Sequence, residues 1–172
     1  METMQIQDSR MFSLVRLYDL HSQYFYNVLD GVSDQDAHSR MQTKANHIAW
    51  IAGSLVYESY LLAHLLNSNI QLELVNKGAF DIFKDHKGIQ DNVYYPSLKD
   101  YRKEWDNIRP VLRHELANLD KQKLAGPDPY EMPGQTTTLY DSVCFLIDRE
   151  SYCIGQIALY RRLLGYPAMK YN

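Results

Sequence analysis

The chain predicts an all-α protein, a four-helix bundle, and three observations carry that prediction. Four stretches place apolar residues at spacings of three and four, the period of a helix with one buried face. Two long connections separate the second stretch from the third and the third from the fourth. The 172 residues, 45% of them hydrophobic, suffice for one domain with one core, residues 1–172. Packing four amphipathic stripes against each other is one of the few ways to bury them all.

The first stretch runs from Asp8 to Leu29, with Phe12, Val15, Tyr18 or Asp19, Ser22, Phe25 and Leu29 at the spacings of an amphipathic helix. Asp8 or Ser9 caps it and Gly31 ends it. Ser33, Asp34 and Asp36 then lead into a short helical turn or plain connection over Asp36 to Met41. The second stretch, Thr43 to Leu66, is apolar around most of its circumference, which marks a central helix touched by several neighbours. Its Ala49, Ala52, Gly53 and Ser54 permit close backbone approach.

From Asn67 to Pro96 no helical period is sustained. Connections of this length inside a compact domain are uncommon and often functional. The aromatics Phe80, Phe83, Tyr94 and Tyr95 predict that this one packs down as a lid. Ser97 and Asp100 form a capping pair for a third helix carrying Leu98, Tyr101, Trp105, Ile108, Leu112 and Leu119, with Pro110 as a local kink or missing hydrogen bond. Glycines and prolines over Asp120 to Thr137 make a second crossing loop. A cap within Thr136 to Thr138 opens the last helix, Leu139 to Leu164, which Gly165 and Pro167 stop. Arg149, Cys153, Gln156 and Tyr160 form a polar stripe on it, while Arg161 and Arg162 suit the negative pole of its dipole.

A net charge of -3 and a pI near 6.0 give no basic field, so nucleic acid is not an expected partner. No apolar run reaches the ~20 residues of a membrane span, and METMQIQDSRMF is not a signal peptide. Cys144 and Cys153 share one helix, about 13 Å apart along it, too far for a disulfide. Reduced thiols and a cytoplasmic location are the expectation. The 14 tyrosines are mostly helix-surface and loop contacts on this reading, and are compatible with a homodimer.

Three phrases carry a family resemblance over nearly the whole chain: NHIAWIAGSLVYE (Asn46 to Glu58), YPSLKDYRKEW, and ESYCIGQIALYRRLLGYP. Together they resemble the DinB/YfiT-like superfamily of four-helix bundles. The resemblance implies a divalent metal, Zn or Ni, held inside the bundle by three histidines, and metal-dependent hydrolysis or thiol transfer. One histidine comes from a helix-two phrase like N-x-I-A-W-x-x-G-H and two from an H-x-x-x-H pair on helix four. Residues four apart share a helix face, and a third ligand from a facing helix leaves room for water on the ion.

Laid on those motifs, this chain has Ser54, Arg149 and Cys153 at the three histidine positions. Serine is a poor ligand for a divalent ion, a guanidinium cannot coordinate one, and Cys153 alone cannot hold zinc. The expectation is a degenerate metal site with no cofactor. His47, seven residues before Ser54, is the one candidate for a displaced site, paired with Cys153; that alternative keeps the family's hydrolase or thiol-transferase chemistry but lacks a third ligand. His21, His38, His64, His86 and His114 form no pair at helical spacing.

An inward Arg149 needs a carboxylate or an anion. Three readings follow. Arg149 bridges to Glu58, four residues after Ser54, as a structural tie; or Arg149, Ser54 and Gln156, with Tyr57, bind a small anionic ligand; or Cys153 is a catalytic nucleophile activated by Arg149. Non-catalytic binding or scaffolding ranks above catalysis, since no histidine is placed as a base for Cys153.

Overall fold

The computed structural model describes residues 6–70, 80–128 and 138–172. Regular structure in them is helical, apart from one isolated bridge pairing of Pro127 with Thr138. The long helices are α1 (Ser9–Leu29), α3 (Ile48–Leu66), α4 (Leu98–Ala117) and α6 (Leu139–Leu163). Single-turn helices α2 (Asp34–Ala37) and α5 (Lys121–Leu124) and a 3-10 helix at Asp81–His86 fill the joints. Both α1 and α3 lie against α4 and against α6, and one apolar core runs between them.

Local chemistry sets the helix starts. Asp8 accepts from the Arg10 amide, and Ser97 with Asp100 and Thr138 with Asp141 form reciprocal capping boxes, each meeting donors that a helix N-terminus leaves unpaired. The expected start of α3 at Thr43 is corrected to Ile48. Met41 and Gln42 adopt left-handed backbone (φ 47 and 59), which turns the chain and postpones the helix until His47 caps it.

The α1 stripe is also corrected. Phe12 is 61% exposed and Met11 is fully buried, so the inward row reads Met11, Val15, Tyr18, His21, Phe25, Leu29. Helix α4 continues through Pro110. Two short elements interrupt the expected connections: the Asp81–His86 turn and α5. Phe80, Phe83 and Tyr95 pack down as expected, with Phe83 ringed by Trp50, Tyr57 and Tyr95, whereas Tyr94 is 82% exposed. The remainder of those connections, 71–79 and 129–137, with Thr136 and Thr137 as alternative caps, lies outside the described residues.

Helix α3 is long and apolar enough to cross a membrane, contrary to the sequence expectation, yet 78% of its apolar window is buried inside the protein. Contact with α4, α6 and the Phe80–Phe83 segment accounts for that apolarity.

Helix α1 has no basic residue in its last turn, so its terminal carbonyls are met from other helices. Arg161 of α6 donates from Nη1 to Asn27 O (3.0 Å) and Val28 O (2.9 Å) and from Nη2 to Asp30 O (3.2 Å). Arg102 of α4 donates to Leu29 O at 2.7 Å. Arg161 thus serves the dipole of α1, and through Pro167 O (2.8 Å) it ties down the C-terminal tail.

Candidate functional site

Two polar regions flank α6, one inside the core and one at its contact with α3. The inner one is an ion network absent from the sequence expectations. Arg109 (α4) forms a bidentate pair with Glu150 (α6), and His21 (α1) places Nδ1 3.3 Å from the same carboxylate. The guanidinium also donates to Ser22 Oγ and Tyr18 O, both at 2.7 Å, and lies 3.2 Å from the centre of the Tyr18 ring. Arg109, Glu150 and His21 are all buried. Burial alone raises the Glu150 carboxyl, but the Arg109 charge and the bonds from His21 and Arg109 outweigh it and hold it below the ordinary carboxylate range.

The outer region is a cavity of about 430 Å³ between α3 and α6, lined by residues of both helices and by Asn46 just ahead of α3. The two helices run in opposite directions here, which sets Trp50 beside Tyr152 and Cys153, and Ser54 beside Arg149. Aromatic walls come from Trp50, Phe145 and Tyr152; polar groups come from Asn46, Asp148, Arg149 and Gln156. Arg149 donates from Nη2 to Ser54 Oγ at 3.3 Å, and the hydroxyl in turn donates to Ile51 O at 2.9 Å. The Trp50 indole N–H is buried with no hydrogen-bond partner among the described residues.

The expected site residues separate as follows. Arg149, Cys153 and Gln156 line the cavity, and Ser54 is bonded at its edge. Glu58 lies with Arg149 and Glu150 on the wall of a narrower adjoining cleft. Tyr160, expected on the polar stripe, is buried instead. Cys153 is 5% exposed; burial pushes its thiol up, and the nearby Arg149 charge only partly offsets that, which opposes thiolate formation.

His47 is not on the cavity wall. Its Nδ1 accepts from the Trp50 amide at 2.9 Å as the cap of α3, and its ring packs on Tyr95 and lies 5.2 Å from His38. The pair with His38 forms through space between residues nine apart, which no helical spacing signals. Among the described residues no group of three or more His, Cys, Asp or Glu side chains is placed to hold a metal ion. Asn46, Trp50, Phe145, Asp148 and Tyr152 went unnoticed in sequence, although all lie within a turn of the flagged residues.

Burial, and next the His38 ring, lower the His47 pKa from 6.5 to about 4. A depressed histidine contributes stability that is present above the unfolded pKa and lost as pH falls through the folded one. The unfolding free energy should therefore decline as pH falls from 6.5 to 4, part of the loss being due to this group. Urea unfolding of His47→Asn, which keeps a cap acceptor, should show a correspondingly shallower decline; an unchanged pH profile would refute the assignment.

Fold and site together define a helical protein with an arginine-bearing, aromatic-walled pocket between two long helices. No family model matches the chain, and no curated protein matches it.

Proposed function

We propose that the chain is a four-helix bundle of the DinB/YfiT type in which Arg149 has taken the place of the family's metal ion. On this reading the α3–α6 pocket is a non-catalytic binding site for a small organic anion. The observation that carries it is the setting of Arg149. Its guanidinium is half-buried at the cavity, takes part in no ion pair among the described residues, and is steadied by one neutral hydroxyl. A cation so placed favours a carboxylate, and the amides of Gln156 and Asn46 line the same cavity. The aromatic walls suit an apolar body on the ligand. The raised thiol of Cys153 favours binding over nucleophilic catalysis.

Calorimetric titration with 3-phenylpropionate and related carboxylates tests this. The wild-type protein should bind, and Arg149→Met should keep its helical circular dichroism while weakening binding at least about tenfold, the value of ~1.4 kcal/mol. Undiminished binding by Arg149→Met, or no binding of any carboxylate by the wild type, contradicts the proposal.

A further inference from the structure

The cavity wall carries an anion as well as a cation. Asp148 and Arg149 are consecutive on α6, and both side chains line the same space. Asp148 is exposed and has no hydrogen bond or ion pair among the described residues. Arg149 is likewise outside any ion pair among them. Among the described residues neither of these opposite charges on adjacent positions of one helix is neutralised by an ion pair, and together they give the cavity wall two ends of different sign. A simple carboxylate entering it gains from Arg149 but is repelled by Asp148, whereas a molecule carrying an ammonium beside its carboxylate meets both charges favourably. Beyond the charges stand Trp50, Phe145 and Tyr152, with Phe145 46% and Tyr152 69% exposed, so the rings enclose space rather than core. Such walls accept a flat or branched apolar group.

From this juxtaposition we infer that the ligand is a zwitterion of the α-amino-acid class with an apolar side chain: carboxylate toward Arg149, ammonium toward Asp148, side chain among the aromatic rings. The inference rests on the carboxylate-binding reading of Arg149 and adds the second charge.

Matched ligands separate the two. The intact protein is titrated with phenylalanine, leucine and tryptophan, and with the same compounds lacking the amino group: 3-phenylpropionate, 4-methylpentanoate and 3-indolepropionate. 2-Phenylethylamine serves as the cation-only control. Binding of the non-indole compounds is followed by tryptophan fluorescence, which reports Trp50 because the other tryptophan, Trp105, is 1% exposed and stacked on Phe25. The indole compounds are followed by calorimetry. At least one amino acid should bind about tenfold more tightly than its deaminated partner, the value of one favourable charge contact of ~1.4 kcal/mol. Asp148→Asn should erase that preference while leaving the deaminated compound bound as well as before or better. If the deaminated compounds bind as tightly as the amino acids, with Arg149 still required, the zwitterion inference falls and carboxylate binding stands. An amino-acid preference that survives in Asp148→Asn also overturns it. If no carboxylate of either series binds, both proposals fail.

Discussion

Glu150→Met is expected to lower the unfolding free energy by about 3–5 kcal/mol, and Arg109→Met by a similar amount. The two side chains are each other's bidentate partners, and both are buried. Desolvating two charges is costly, and the pair is tolerated because every nearby group is spent on it: Tyr18 O, Ser22 Oγ and His21 Nδ1 complete the network. Removing one member strands the other charge in the core. The double variant Arg109→Met/Glu150→Met removes both, so it should be more stable than either single variant, a coupling of several kcal/mol in chemical unfolding. Additive losses would mean that the pair is solvated and the network unimportant. Acid should act in the same direction: a carboxyl held below its ordinary range gives stability that is present above the unfolded pKa and lost as pH falls through the folded one.

Gly53→Ala is expected to be the other large loss, about 2–3 kcal/mol, although glycine to alanine inside a helix ordinarily gains up to ~1 kcal/mol. A Cβ at position 53 would sit 2.5 Å from Phe83 Cζ and 2.5 Å from both Tyr101 Cζ and Oη. Those rings belong to the packed Phe80–Tyr95 segment and to α4, so the substitution must lift both away from α3. Tyr101 Oη is buried without a partner among the described residues, so Tyr101→Phe removes one clashing atom and a hydroxyl that none of them satisfies. It should be neutral or stabilising alone and should recover part of the loss in the double variant. A melting temperature raised by Gly53→Ala would contradict the close approach.

Much of the fold was legible because apolar spacing and caps are local signals. Ser97 with Asp100 and Asp8 announced their helices in sequence and perform those roles. The start of α3 was not legible, since nothing in Met41 or Gln42 advertises left-handed backbone. The Arg109–Glu150–His21 network was missed for a different reason. Its members occupy core positions of their stripes: His21 between Tyr18 and Phe25, Glu150 between Ile147 and Ile154, Arg109 between Trp105 and Leu112. Charged residues in an apolar row are a sequence signal, and three on three helices foretell a buried cluster. At the pocket, Arg149, Cys153 and Gln156 were found through their shared helix face. Asp148 and Tyr152 lie just off that face, and their part in the site depends on where α3 passes, which no single-helix pattern encodes.

On the proposed reading, Ser54, Arg149 and Cys153 stand around the point where a metal ion would be held, with Arg149 in the ion's place. Calorimetric titration of Zn²⁺ into the tag-free protein and into the triple variant Ser54→His/Arg149→His/Cys153→His tests it most directly. The triple variant should bind zinc one-to-one, and the wild type should bind none. Stoichiometric metal in the wild type, or no binding by a folded triple variant, would contradict it.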